Sequence, residues 1–141
     1  MEKNRKQKAV ELFNERYNCA QCIMLAYCDL VDINEDLAFR ISSGFEGGIA
    51  KLGKTCGTIN AAVMLLSLRY GETNKLDVDS KMKRREIIRN FVNEFKQNHS
   101  KGINCADILT EEQDKTYIMH SEKCARTVSE VCDLLDKYMF L

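Results

Sequence analysis

The chain has 141 residues, with 21 Lys and Arg against 21 Asp and Glu, two His, seven Cys, seven Gly and neither Pro nor Trp. A folded chain of this length buries roughly 70% of its unfolded surface, which suffices for one core without disulfides, so we expect a single domain over residues 1–141. The zero formal charge and the 45% hydrophobic fraction exclude a disordered chain and give no electrostatic basis for binding nucleic acid.

The segment from Met1 to Lys8 is polar and charged, and no run approaches the ~18 apolar residues of a membrane span. We therefore expect a cytoplasmic protein that does not associate with membranes. Seven cysteines in a reducing compartment are not a permanent disulfide framework, and an odd number cannot all pair within one chain. Their positions along the chain must indicate their role.

The spacing of apolar residues is helical almost throughout, and no alternating strand pattern appears. Helices are predicted over Arg5 to Arg16, Cys19 to Val31, a short segment capped by Asn34, Thr55 to Tyr70, a surface segment through Ile87 and Phe95 that ends near His99 and Gly102, and Glu122 to Tyr138. The glycines of residues 43–48 predict a loop. In the segment from Thr55 to Tyr70, which Gly71 ends, apolar residues occupy nearly every face. This pattern predicts that the helix is the most buried one in the bundle. We expect an all-α bundle of about five main helices, with a glycine-rich loop before a buried central helix.

Four of the seven cysteines fall at predicted helix starts. They are Cys19 after Asn18, which forms a capping box with Gln21, Cys56 after Thr55, Cys105 after Asn104, and Cys124 in the first turn after Ser121. At a helix start, unpaired backbone amides and the positive end of the helix dipole favour the thiolate over the thiol. The thiolate is the better nucleophile and the better metal ligand. We expect a lowered pKa and high thiol reactivity at Cys19 and Cys56. The alternative at each position is a small buried apolar residue.

The other three cysteines are predicted differently. Cys28 and Cys132 lie among apolar residues and are expected in the core. Cys22 forms C-x-x-C with Cys19 within one helical turn, where the two could bridge. A thioredoxin-like motif needs a βαβ context, which the chain lacks, and Ile23 follows where haem attachment needs His. A second C-x-x-C is absent, so a zinc ribbon is not indicated.

Residues 48–55 match the phosphate-loop pattern G-x-x-x-x-G-K-[ST] and are predicted to open a helix. No buried strand precedes them, and no later apolar run ending in Asp supplies a magnesium-binding strand. Nucleotide hydrolysis is therefore disfavoured. Glycine amides ahead of a helix, with Lys54 nearby, remain a candidate site for a small anion.

Several motifs together resemble the C_GCAxxG_C_C family, which is named for redox activity. They are Tyr17-Asn18-Cys19-Ala20-Gln21, Ser43-Gly44-Phe45-Glu46-Gly47-Gly48, Gly53-Lys54-Thr55-Cys56-Gly57, Leu68-Arg69-Tyr70-Gly71, Cys105 and Cys124. The resemblance covers about Phe13 to Leu135. It implies a bacterial or archaeal protein whose four characteristic cysteines are Cys19, Cys56, Cys105 and Cys124. The chain departs from the family pattern at Thr58, where Ala is usual, and at Ala61, where Gly is usual.

Our leading hypothesis is a thiol–disulfide redox protein, in which these four catalytic cysteines cycle between dithiol and disulfide without a cofactor. The alternatives are a protein whose four thiolates hold a metal or an iron–sulfur cluster, and a helical interaction module with inert cysteines. The sequence leaves open which of the three possible pairings the four cysteines adopt. It also leaves open the oligomeric state, with a homo-oligomer among the alternatives, and whether the redox partner is a protein or a small thiol. His120 and His99 are not candidates, since His99 is expected merely to contact terminal helix carbonyls.

Overall fold

The computed structural model describes residues 4–111 and 121–141. These residues form seven α-helices: α1 (Arg5–Asn14), α2 (Cys19–Tyr27), α3 (Glu35–Ser42), α4 (Gly57–Tyr70), α5 (Val78–Lys96), α6 (Cys105–Leu109) and α7 (Glu122–Tyr138). Two short 3₁₀ helices, Cys28–Val31 and Ser43–Phe45, follow α2 and α3. Within these two ranges there is no strand, and one isolated antiparallel bridge joins Thr55 to Asn104. The all-α class is confirmed, with two more α-helices than the five main ones expected.

Asparagine side chains set the starts of the first three helices. At α2, Asn18 Oδ1 accepts from the Gln21 amide at 2.9 Å while Gln21 Oε1 accepts from the Asn18 amide at 3.1 Å. Asn4 forms the same capping box at α1, and Asn34 caps α3. The predicted start of α2 at Cys19 is therefore confirmed.

Helix α2 is the most buried element, and the prediction that α4 would be is wrong. Every residue from Ala20 to Tyr27 is buried, because α2 packs against α1, α3, α4 and α7. Helix α4 contacts α2, α5 and α7 but leaves part of its surface open. Val63 and Met64 are half-buried there, and Leu68 is 55% exposed. An apolar sequence permits burial, but the neighbours decide it.

Cys22, Cys28 and Cys132 lie in this core, as the sequence predicted for the last two. Burial raises the pKa of both Cys22 and Cys132 to about 12, and each sulfur is among apolar side chains. Tyr27 crosses from α2 to α7, where its hydroxyl donates to Asp136 at 2.6 Å. We assign these three cysteines to packing.

The glycine-rich segment turns left-handed before α4. Five consecutive residues, from Gly47 to Lys51, have positive φ, and Ile49 (62°), Ala50 (47°) and Lys51 (64°) are not glycines. The amides of residues 49–54 all donate to carbonyls of residues 44–49, so they are not free to hold an anion. Helix α4 begins at Gly57 with Cys56 as its cap, so the phosphate-loop pattern leads into this helix but ends just before it.

No helix in the described part of the chain has both the length and the apolar character needed to cross a membrane.

Candidate functional site

The starts of α2 and α4 meet across a glycine. Cys19 is the first residue of α2, and Cys56 is the capping residue of α4. A Cβ atom at Gly57 would lie 2.8 Å from Cys19 Sγ and 2.9 Å from the carbonyl oxygen of Phe45, so only glycine fits here. Thr55 was expected to be the cap with Cys56 inside the helix, but the helix starts one residue later than that.

Backbone hydrogen bonds hold the Cys56 and Cys105 segments side by side. The Cys56 amide donates to the carbonyl of Ile103 at 2.8 Å, and the Cys105 amide donates to the carbonyl of Lys54 at 2.6 Å. Together they form the bridge between Thr55 and Asn104. Cys105 is the first residue of α6, as predicted.

The fourth predicted cysteine completes the group. Cys124 is in the first turn of α7, as expected, and Ser121 Oγ donates to its sulfur at 3.7 Å. Cys19, Cys56, Cys105 and Cys124 all line one internal void of about 20 Å³, together with Thr58 and Thr127. A void of that size holds about one water molecule. The structure thus brings together all four cysteines that the sequence singled out, while Cys28 and Cys132 do not line this void.

A wider cavity of about 330 Å³ lies on the outer side of the same group. Cys19, Cys105 and Cys124 line it, and Cys56 does not. Cys19 is half-buried, whereas Cys56 is only 6% exposed. A molecule entering from solvent therefore meets Cys19 before Cys56.

The thiols of Cys19 and Cys56 share a hydrogen bond that separates their acidities. The thiol of Cys19 donates to the sulfur of Cys56, which lowers the pKa of Cys56 to about 7 and raises the pKa of Cys19 well above its usual value. Burial and the neighbouring cysteine sulfurs raise the pKa of Cys19 further. The expectation of a lowered pKa is therefore confirmed at Cys56 and wrong at Cys19. One proton between two sulfurs makes one of them the thiolate and the other its donor.

Thr58 is a further member of the site, and the sequence reasoning missed its role. Its side chain is fully buried, and its hydroxyl lies 3.0 Å from the Cys56 sulfur. The hydroxyl can donate to a thiolate, and it lowers the pKa of Cys56 after the larger effect of Cys19. The amides of Thr58 and Ile59 at the start of α4 lower it as well. The available signal was a hydroxyl residue two positions after a capping cysteine.

His99 is placed differently from the expectation that it contacts helix carbonyls. It is 4% exposed, and its ring nitrogens contact Glu111 Oε1 at 2.5 Å and Glu130 Oε2 at 2.6 Å. The ring stacks on Phe95 with centroids 4.1 Å apart. His99 does not line the cysteine void and fixes the end of α5 to α7 instead. His120 lies outside the described residues.

All seven cysteines lie in the described residues, and no disulfide joins any two of them. Within residues 4–111 and 121–141, no three His, Cys, Asp or Glu side chains are disposed to hold a metal ion.

Comparison with known proteins places the chain in a family. An uncharacterized protein of Archaeoglobus fulgidus is 35% identical over 65 residues, which are 45% of this chain and 42% of that relative. The chain thus spans less than half the length of this curated relative. No solved structure matches the chain. Residues 17–138, which include all four site cysteines, match the family described as "Putative redox-active protein (C_GCAxxG_C_C)". The chain therefore belongs to the C_GCAxxG_C_C family.

Proposed function

We propose that this protein is a thiol–disulfide redox protein in which Cys19 and Cys56 form the exchanging pair. The observation that carries the proposal is the meeting of the two helix starts, where Cys19 and Cys56 line one void and the Cys19 sulfur lies against Gly57. The opposite shifts of the two pKa values, caused by a hydrogen bond between the thiols, agree with this placement. Two thiols in contact, one of them ionised near neutral pH, are the reactants of disulfide exchange. The family description supports a redox role.

The two sulfurs have different tasks because their surroundings differ. In the oxidised pair, a substrate thiolate attacks the sulfur of Cys19, which lines the outer cavity. The Cys19–Cys56 bond breaks, and Cys56 leaves as the thiolate that Thr58 and the α4 amides stabilise. A leaving thiol of low pKa leaves faster. The sulfur of Cys19 has no proton to donate while it is in a disulfide, so Thr58 and the α4 amides are the donors that favour this step.

A second substrate thiolate then attacks the substrate sulfur of the mixed disulfide. The substrate disulfide departs, and Cys19 takes up a proton. Two substrate thiols have become one disulfide, the protein has gained two electrons, and the two protons reside on Cys19 and on Cys56 or the solvent. The same steps in reverse reduce a disulfide, so in either direction the mixed disulfide forms on Cys19.

Cys105 and Cys124 are the second catalytic pair in this proposal. Both line the internal void with the first pair and also line the outer cavity. Of the three pairings that four cysteines allow, the contact between Cys19 and Cys56 favours the one that leaves these two together. Exchange across the void would pass the disulfide from one pair to the other.

The alternative of a metal or an iron–sulfur cluster receives less support. Four thiolates would suit such a centre. The described side chains are not arranged as a metal-ion site, however, and the lowered pKa at Cys56 has its cause in a neighbouring thiol.

The test is to trap the mixed disulfide on one defined sulfur. In a background with Cys105→Ser and Cys124→Ser, the reduced protein is mixed with a small disulfide, and adducts are located by peptide mass mapping. We expect the Cys19–Cys56 pair to close into an internal disulfide, and Cys56→Ser to retain a stable adduct on Cys19. Cys19→Ser should form adducts slowly, because Cys56 is buried.

Cys28→Ser is the matched control, since this buried sulfur lies outside the site and should not affect closure. The proposal is wrong if the folded protein keeps both thiols under oxidant, or if the adduct maps to Cys56 rather than Cys19. Labelling that a chelator releases and a reductant does not would support the metal alternative instead.

A further inference from the structure

The outer cavity carries a distinct set of charges. Besides three of the cysteines, it is lined by Arg16, Lys51 and Glu46. The side chains of Arg16 and Lys51 are exposed, and neither has an ion-pair or hydrogen-bond partner in the described parts of the chain. Since the whole chain has zero formal charge, two cations against one carboxylate beside three cysteines make this cavity locally positive.

Both cationic residues have unusual backbone conformations. Arg16 follows α1 with φ 77°, and Lys51 ends the left-handed segment with φ 64°. Residues other than glycine seldom adopt positive φ, and such conformations persist where the surrounding structure imposes them, often at ligand-binding sites. Two unrelated segments of the chain thus both adopt strained backbone at this cavity and place a cation there.

We propose that the outer cavity binds a small disulfide or thiol derived from an amino acid, whose carboxylates pair with Arg16 and Lys51. This inference rests on the proposed thiol–disulfide function and names its substrate class. A cavity of about 330 Å³ is near the lower limit of small-molecule sites, which fits one such molecule. The carboxylate of Glu46, which also lines the cavity, would pair with the amino group of such a substrate.

Binding in this cavity sets up the exchange step. With the carboxylate held by the cations, the substrate disulfide lies beside Cys19. The thiolate of Cys19 attacks the nearer sulfur after passing its proton to Cys56, and the other half leaves as a thiolate that takes a proton from the solvent. Cys56, having released its proton to the solvent, then attacks Cys19 to close the protein disulfide and release the second half.

Three disulfides of similar length and different charge test the inference. They are dithiodipropionate, which has two carboxylates, the neutral disulfide of mercaptoethanol, and cystamine, which has two ammonium groups. Each is mixed with the reduced full chain, and the rate of disulfide closure is measured by quenched alkylation. We expect the anionic disulfide to close the pair fastest, the neutral one more slowly and the cationic one most slowly. The differences between the three rates should shrink at high salt.

The variants Arg16→Gln and Lys51→Gln isolate the two cations. We expect each to slow the reaction of dithiodipropionate by about two- to fivefold, as for exposed charge pairs, and to leave the neutral disulfide unchanged. Lys54→Gln removes the same charge from the same loop at a residue that does not line the cavity, and it should change neither rate. Glu46→Gln should speed the anionic probe.

The outcomes separate this inference from the proposed function. If none of the disulfides closes the Cys19–Cys56 pair, the proposed function itself fails. If all three react equally and the cation variants change nothing, exchange stands but the substrate class is wrong. Fast closure with a protein disulfide and slow closure with every small one would also overturn it, in favour of a protein partner.

Discussion

Replacing Thr58 with valine tests how much of the reactivity of Cys56 comes from one hydroxyl. Valine keeps the shape of threonine and removes only the group that lies 3.0 Å from the Cys56 sulfur. A hydrogen bond to a charged group contributes about 1.5 to 3 kcal/mol. At 1.36 kcal/mol for each pH unit, its loss raises the pKa of Cys56 by about 1 to 2. The value of about 7 therefore becomes about 8 to 9, which is that of an ordinary cysteine.

The assay is the pH dependence of alkylation of Cys56 by a small reagent, read for that residue alone by peptide mass mapping. Burial makes this reaction slow, so the midpoint of the pH profile is compared between variants and not the absolute rate. Thr58→Ser is the matched control, because it retains the hydroxyl, and its profile should stay close to that of the native protein. Unfolding by urea should show that all three proteins are folded over the pH range used.

The reasoning is refuted if the midpoint for Cys56 is unchanged in Thr58→Val. It is also refuted if Thr58→Ser shifts the midpoint as far as valine does, because packing and not the hydroxyl would then be responsible.

Three further changes have definite expected outcomes. Gly57→Ala places a Cβ 2.8 Å from Cys19 Sγ, so the free energy of unfolding in urea should fall by about 1 to 3 kcal/mol, and an unchanged value would contradict the close contact. Ala50→Gly relieves positive φ at an exposed residue and should raise the free energy of unfolding by up to about 1 kcal/mol; a decrease would show that the conformation is not strained. In the folded protein the pKa values of Cys22 and Cys132 are about 12, while the pKa of an unfolded thiol is about 8.5. The unfolded chain therefore binds fewer protons between these values, so stability should fall as pH rises from about 9 to 12, and Cys22→Ala or Cys132→Ala should flatten that slope.

Local signals in the sequence predicted much of the site. The capping box of Asn18 and Gln21 fixed the position of Cys19, and the residue before Cys105 marked the start of α6. Capping depends on side chains within three residues of each other, so it can be read without knowledge of the fold. All four cysteines lie at helix starts, but only Asn18 makes the predicted capping hydrogen bond. Asn104 and Ser121 stand before their helices without one, and the cap of α4 is Cys56 and not Thr55.

The features of the site that the sequence did not predict depend on contacts between residues far apart in the chain. The raised pKa of Cys19 comes from the Cys56 sulfur, which overrides the effect of the helix start. His99 is buried by Glu111 and Glu130, and nothing near it in sequence indicates those partners. Glycines predicted an irregular segment before α4, but not that Ile49 would share its left-handed conformation.

The bridge between Thr55 and Asn104 bears on the stage of folding at which Cys56 acquires its low pKa. The bridge closes a loop that contains all of α4 and α5, and closing a loop of that length costs entropy that only the packed helices can offset. Because loop closure must be offset by packing, we expect this bridge to form after the local helices. A chain still folding therefore displays scattered thiols of ordinary acidity, and Cys56 gains its low pKa only when the bundle is complete. The acidity of the Cys56 thiol is thus a readout of native assembly, because the groups that lower its pKa come from separate helices.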